Sequence, residues 1–145
     1  MLYSNPCEYA IRALTELARR PDEGWVPVTT IASSADLPSP YLGKILKDLV
    51  RVRILKSTRG PGGGYQLARP AAEISLLDVK LSVDGPDDLE RCAVGLDPCT
   101  DETPCPLHDD FVRVRATIHE YLTSTSLADL ARGARKKGEL LSGAQ

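Results

Sequence analysis

The stretch SPYLGKILKDLVRV, residues 39–52, admits few folds. Leu42, Ile45, Leu46 and Leu49 recur at i, i+3, i+4 and i+7, so a helix here must bury one face. Pro40, Lys44, Lys47 and Arg51 are four, three and four apart and share another face, which is cationic. Ser39 reads as the helix cap and Pro40 as its first position. Immediately downstream, ILKSTRGPGGGYQLARP (54–70) divides into two short strand-like pieces around Gly60, Pro61, Gly62, Gly63 and Gly64. A glycine-rich hairpin of this kind can lie close to a phosphate backbone, with Arg59 at its base able to enter a minor groove.

Two further helices precede this unit. Asn5-Pro6 reads as cap and first position, after which Ile11, Leu14, Leu17 and Ala18 recur on one face. PDEGWVP ends that helix. TTIASSADL (29–37) then predicts a short helix with Ile31 and Ala32 inward and a tight turn at 35–37. A short helix, a turn, a helix with a cationic outer face and a hairpin make a winged helix-turn-helix. The expected fold class is mostly α with a small β wing.

Charge supports the same conclusion only through its distribution. The formal net charge of −2 argues against nucleic acid. Yet Lys44, Lys47, Arg51, Arg53, Lys56, Arg59 and Arg69 stand against Asp48 alone between 44 and 69, and nine acids stand against Arg91 between 84 and 110. A basic segment separated from an acidic one is the footprint of phosphate binding. GPGGG is not a P-loop, because no strand-loop-helix order and no GK[ST] accompanies it. One Phe, one Trp and five scattered Tyr give no stacking platform for RNA. The alternative for the third helix is an ordinary surface helix of a small bundle.

Past the hairpin, ISLLDVKLSVDG (74–85) opens a helix with a capping box, Ser75 and Asp78. Leu107, Phe111, Val114, Ile118 and Tyr121 are spaced 4, 3, 4 and 3, a coiled-coil seam that wants a partner helix. A second copy of the chain is the economical partner, and packing on the first helix of the same chain is the alternative. The expected organisation is a DNA-binding domain over 1–83, a cysteine-rich loop over 84–110, a dimerisation helix region over 107–131 and a flexible tail over 132–145.

RCAVGLDPCTDETPCPLHDD (91–110) holds three of the four cysteines and one of the two histidines. No run of about 18 apolar residues and no signal-peptide pattern is present, so the expected location is the cytoplasm, with no membrane partner. Thiols there stay reduced, and clustered cysteines favour metal or redox chemistry over disulfides. Cys92, Cys99 and Cys105 are separated by six and five residues, too wide for CxxC zinc knuckles but tolerable for a loop pinned around an inorganic core. A structural Cys3His zinc site, a metal-free thiol switch and buried structural cysteines are the alternatives. The last fits poorly with the interleaved Asp97, Pro98, Asp101, Glu102, Pro104 and Pro106. Cys7, near a helix start, reads as a small buried hydrophobe whose position would somewhat lower its pKa. His119 reads as a surface residue. No general-base pair or nucleophile constellation appears, so the chain is not read as an enzyme.

EYAIRALTELA (8–18), VTTIASSADLPSPYLGKILKDL (28–49), STRGPGGGYQLARP (57–70), ISLLDV (74–79), the three cysteines and SLADLA (126–131) together resemble a known family. It is that of the iron–sulfur-dependent winged-helix regulators of the IscR, NsrR and RirA type (the Rrf family), with the cysteine regulator CymR as a relative. The resemblance extends over residues 1 to about 131. Two features depart from it: Arg53-Ile54-Leu55 stands where Gly-Leu-Val is usual, and the first cysteine gap is one residue longer than in IscR-like members. The resemblance implies a homodimeric transcriptional regulator, mostly repressing, that binds a pseudo-palindromic duplex and senses redox, nitric oxide or iron status. It implies Cys92, Cys99 and Cys105 as cluster ligands, with His108 preferred as the fourth and Glu8 as its rival. A histidine ligand suits [2Fe–2S] over [4Fe–4S]. Expected DNA contacts are Ser39, Pro40, Tyr41, Gly43, Lys44, Lys47 and Arg51 on the helix, and Lys56, Ser57, Arg59, Gly60, Gly62 and Gly63 on the wing.

Overall fold

The computed structural model describes residues 2–134. Helix α1 (Asn5–Ala18) is capped by Ser4, not Asn5: the Ser4 hydroxyl accepts from the Cys7 N–H at 3.1 Å, and Asn5 and Pro6 occupy the first helical positions. A hydroxyl one residue earlier reaches the free N–H, so the Asn side chain is not needed for it. Cys7, Ala10, Ala13, Leu14 and Leu17 form the buried face, with Ile11 and Ala18 half-buried at its margins.

Helices α2 (Val28–Ala35) and α3 (Ser39–Arg51) are joined by a turn in which Asp36 takes the left-handed conformation, φ 55°. The N–H of Leu37 reaches back to the Ala32 carbonyl at 2.9 Å, the Schellman closure that ends one helix and aims the next. Arg12, on α1, donates to the carbonyls of Ala35 and Asp36, so a cation from another helix holds the C-terminal end of α2. The buried stripe of α3 is Leu42, Ile45, Leu46 and Leu49, as its periodicity requires. Ser39 is the first helical residue and makes no side-chain cap bond; Pro38 stands at the cap.

The end of α3 repeats the Schellman closure with Arg53 at φ 63°, and Ile54 N–H donates to the Leu49 carbonyl at 3.0 Å. A side chain in this conformation costs about 1–2 kcal/mol, and glycine removes that cost while losing about 0.4–1 kcal/mol through a looser unfolded chain. Arg53→Gly is therefore expected to stabilise the fold by roughly 0.5–1 kcal/mol, readable as a higher urea midpoint at unchanged slope. An unchanged or lower midpoint would contradict it.

Strands β1 (Leu55–Thr58) and β2 (Gly64–Leu67) pair antiparallel, Leu55 opposite Leu67 and Thr58 opposite Gly64. Val26 extends this ribbon by a two-way bond with Tyr65, at 3.0 and 2.8 Å. Gly64 belongs to the strand and not to the loop. A Cβ there would lie 2.3 Å from the Val26 carbonyl oxygen, so the wing docks on the connection after α1 only because this residue has no side chain.

A 3₁₀ turn (Ala71–Glu73) leads to α4 (Leu76–Val83), whose capping box is complete in both directions: Asp78 N–H to Ser75 Oγ, 3.1 Å, and Ser75 N–H to Asp78 Oδ2, 2.9 Å. Asp84 closes this helix. It is the first acid of the acidic, cysteine-rich stretch expected over 84–110, yet its side chain is only 4 % exposed. Its carboxylate accepts from the Ser4 N–H (3.1 Å) and hydroxyl and from Lys80 Nζ (3.3 Å), while Lys80, 1 % exposed, also donates to the Leu2 carbonyl at 2.8 Å. Burial works to raise the Asp84 pKa, but the Ser4 and Lys80 bonds outweigh it and hold it below its ordinary value.

A short helix α5 (Asp87–Glu90) precedes the cysteine loop, and α6 (His108–Ser124) follows it. Helix α6 packs on α4 rather than along α1, although the Tyr3 and Tyr121 hydroxyls meet at 3.0 Å. Among its residues only Leu122 is buried; Leu107 (just before it), Val114 and Tyr121 are about half exposed, and Phe111 and Ile118 are partly covered. The seam stops at 124. Thr125 and Ser126 turn back beside Ile74 to Leu76, through Leu76 N–H to Thr125 O and Leu127 N–H to Ile74 O, both 2.9 Å. A helical stretch over 127–134 follows and returns Leu127 and Ala131 to the core. Residues 126–131 are thus no continuation of the α6 seam, and 132–134 are helical, not a loose tail. Ser126 and Asp129 build a second reciprocal capping box there, the pattern already used at Ser75 and Asp78. The remainder of the expected tail, 135–145, lies outside the described residues. Among the described residues no helix is long and apolar enough to cross a membrane.

Candidate nucleic-acid interface and metal centre

Opposite its buried stripe, α3 exposes Pro40, Lys44, Lys47 and Arg51 on one face. Arg51 is shared with exposed Asp48 at 3.3 Å, a surface pair too weak to hold it. Ser39 is half-buried. Tyr41 is 42 % exposed and packs edge-on against Tyr9, with centroids 5.5 Å apart, so it flanks this face. Gly43 is the third flank residue, and a Cβ there would meet nothing within 4 Å, so no contact within this chain requires its smallness.

On the wing, Lys56, Ser57, Arg59, Gly60 and Gly62 are exposed, with Lys56 Nζ lying 5.8 Å from the centroid of the Trp25 ring. The glycines divide by cause. Gly60 and Gly62 have φ of 88° and 75° with open space around them, whereas a Cβ on Gly63 would lie 2.6 Å from the Thr58 carbonyl. The first two therefore serve the turn's conformation and the third its own packing. Arg69, counted with the basic segment, is turned aside to Asp78 (3.7 Å) and the Glu73 carbonyl (3.2 Å).

The cysteine loop closes on itself. The Sγ atoms of Cys92, Cys99 and Cys105 all lie within 4.8 Å of one another. His108, the first residue of α6, sets Nδ1 3.2 Å from Cys99 Sγ and Nε2 2.9 Å from Asp101 Oδ1. Both ends of the loop are secured: Cys92 N–H donates to Asp97 at 3.2 Å, and Arg115 of α6 donates to the Arg91 carbonyl at 2.9 Å. The backbone N–H groups of Val94 and, more weakly, Leu96 lower the Cys92 pKa, assisted by the other two thiols and opposed by burial. For Cys99 the Cys105 N–H pulls downward, but burial and the neighbouring thiols prevail and the net shift is upward. The loop thus favours the thiolate of Cys92 and disfavours that of Cys99, and a cation shared among the sulfurs would favour both.

Soft thiolates with an imidazole suit an iron–sulfur cluster or zinc. Zinc–sulfur bonds of about 2.3 Å in a tetrahedron put sulfurs about 3.8 Å apart, within the spread observed. Neither His108 nor Glu8, half-buried in the first turn of α1, belongs to the trio of donors within 4.8 Å of one another; His108 reaches it through Cys99. Cys7 is fully buried, and burial first, then the Asp84 carboxylate, push its thiol up to about 12. The helix-start effect expected to lower it is overridden. His119 is exposed. Arg12, Lys80 and Asp84 escaped notice in the sequence because each has a partner far off in the chain: Ala35 and Asp36 for Arg12, the Leu2 carbonyl for Lys80 and Ser4 for Asp84.

The fold and these two sites define a winged helix-turn-helix protein with a thiol-rich candidate metal pocket. The model of a family described as Rrf2, iron-dependent transcriptional regulator, matches residues 3–133, and the chain belongs to that family of regulators, which are not enzymes. Its relatives include the HTH-type transcriptional regulator Rv1287 of Mycobacterium tuberculosis, 37 % identical over 135 residues, covering 92 % of this chain and 83 % of that protein. The HTH-type transcriptional regulator IscR of Photorhabdus laumondii is 33 % identical over 122 residues, 84 % of this chain and 74 % of that one. Among solved structures, CymR (YrzC), the global cysteine regulator of B. subtilis, superposes with a TM-score of 0.77 at 29 % identity, covering 89 % of this chain and 95 % of that one. T. potens IscR superposes with a TM-score of 0.71 at 29 % identity, covering 90 % and 86 %.

Proposed function

We propose that the protein is a homodimeric repressor that reads duplex DNA with α3 and the wing, and that Cys92, Cys99, Cys105 and His108 hold an iron–sulfur cluster, [2Fe–2S] in preference to [4Fe–4S], by which it senses redox, nitric oxide or iron status. The approach of three thiols within 4.8 Å of one another, with the His108 imidazole 3.2 Å from Cys99, carries this reading. Bound there, a cluster supplies a redox-active, acid-labile cross-link. The chain's own part is to gather four donors from a loop that has little apolar core of its own, and to tie that loop through Arg115 to α6. The half-exposed apolar edge of α6 supports a second copy as its partner, since a 17-residue helix burying one side chain gains little by itself.

Protein purified without oxygen should be brown, and metal and sulfide analysis should find iron with acid-labile sulfide. A colourless protein carrying one zinc per chain would instead support a structural Cys3His ion, the second reading, which the compactness of the thiol trio favours.

On DNA, the dimer should bind a pseudo-palindrome with half-sites about one helical turn apart. Lys47→Ala should weaken binding evenly across sequences and reduce the salt slope by about one, as a lost phosphate contact does. Changes at Pro40, Gly43 or Lys44 should alter sequence preference, and Arg59→Ala should cost most on A·T-rich flanks. Salt-insensitive binding would refute the interface.

A further inference from the structure

We propose that Asp101 is a positioning residue for the metal pocket: its carboxylate fixes His108 as the Nε2–H tautomer and so presents Nδ1, not Nε2, to the Cys99 thiol of the trio. This rests on the reading of Cys92, Cys99, Cys105 and His108 as ligands and adds which imidazole nitrogen binds and what selects it.

For the neutral ring the geometry leaves one consistent assignment. An ionised carboxylate only accepts, so the 2.9 Å contact between Asp101 Oδ1 and Nε2 requires the proton on Nε2. The neutral ring then carries its lone pair on Nδ1, which lies 3.2 Å from Cys99 Sγ. The His108 side chain is 10 % exposed and Asp101 is 99 % exposed, so as an ion pair the contact would be worth little. Its effect is directional. Thr100 and Thr103 exchange backbone bonds at 3.4 and 3.1 Å, and Thr100 Oγ1 accepts from the N–H of both Glu102 and Thr103 at 3.2 Å. Asp101 and Glu102 form the tip of that closed turn, and only Asp101 meets the ring. The carboxylate is therefore delivered from a hydrogen-bonded turn, and a carboxylate on the far nitrogen is the arrangement that orients histidine ligands in metal sites generally.

The full-length chain, labelled with ¹⁵N-histidine, reduced and metal-free, gives the tautomer directly from two-bond ¹H–¹⁵N correlations at mildly alkaline pH, where imidazoles are neutral. His119, the other histidine of the chain, is exposed and serves as the internal reference. His108 should be Nε2–H in the wild type and in Glu102→Gln, which removes the same charge one residue away, and should become a mixture in Asp101→Ala. An Nδ1–H wild type, or an Asp101→Ala spectrum identical to wild type, would overturn the proposal.

A second measurement follows the decay of visible absorbance under EDTA after anaerobic reconstitution with ferrous iron and sulfide. Asp101→Ala should shorten the half-life about tenfold, the size of a lost outer-shell partner, yet change nothing further in a His108→Ala background. Equal losses in both backgrounds would mean that Asp101 does not act through His108. A colourless wild type would sink the iron–sulfur reading alone, with the tautomer still deciding the role of Asp101.

Discussion

Lys80→Met is expected to destabilise the fold by about 3–5 kcal/mol at neutral pH, because it strands the Asp84 carboxylate in a site 4 % exposed with no cation beside it. The Ser4 hydroxyl and N–H remain, but two neutral donors do not replace an ammonium. Asp84→Asn should cost less, since its amide oxygen still accepts while Lys80 keeps the Leu2 carbonyl. The pH dependence has a definite sign. Asp84 titrates below its ordinary value of 3.8 in the folded chain, so its contribution is fully present above that value and disappears as pH falls through the lower folded one. The deficit of Lys80→Met should accordingly be constant near neutrality and shrink in acid, as the stranded carboxyl takes up a proton. Urea unfolding of both proteins at neutral and acidic pH measures this; a deficit under about 1 kcal/mol, no more than an exposed pair gives, would show that the pair does not act as a buried one.

Cys92→Ala, Cys99→Ala and Cys105→Ala are each expected to abolish the visible absorbance of protein purified without oxygen while shifting Tm by no more than about 2 °C, as surface substitutions do. The three cysteines are half-buried in a loop outside the main core, which is built from α1 to α4, the wing and the returning stretch at 127–131. A cluster supported at three points loses its integrity when one thiolate is withdrawn, whereas the winged domain keeps every apolar contact. Cys7→Ala should behave oppositely, keeping the colour and lowering stability, because it empties part of a fully buried position. His108→Ala should leave a labile cluster with a shifted potential, and Glu8→Ala should do little. If Glu8→Ala removes the absorbance and His108→Ala does not, the fourth ligand comes from α1. If all the loop variants keep it, no cluster is held there.

Local periodicity and capping made most of the fold legible. The stripe at Leu42, Ile45, Leu46 and Leu49 and the box at Ser75 and Asp78 stand in the structure as their spacing requires, since each depends on residues within two turns of one helix. The box at Ser126 and Asp129 carries the same signal, but its meaning depended on the residues around Ile74, some fifty positions earlier, to which that stretch returns. The cysteines were conspicuous as a group, because three thiols among turn-formers have no use in a core. Their approach within 4.8 Å was not legible, since the gaps of six and five residues are loops whose path is set by Asp97, the Thr100–Thr103 turn and Arg115.

The sequence by itself determined which faces are apolar, which helix is cationic and which residue types are available as ligands, because these follow from spacing and chemistry within short segments. Only the tertiary structure decided that Asp84 leaves the acidic run to accept from Ser4, that Arg12 holds the turn between α2 and α3, and that Asp101 meets Nε2 of His108. Such choices join residues distant in the chain or separated by irregular loops. Desolvation and hydrogen-bond direction, which settle them, act only once the chain has brought the partners together.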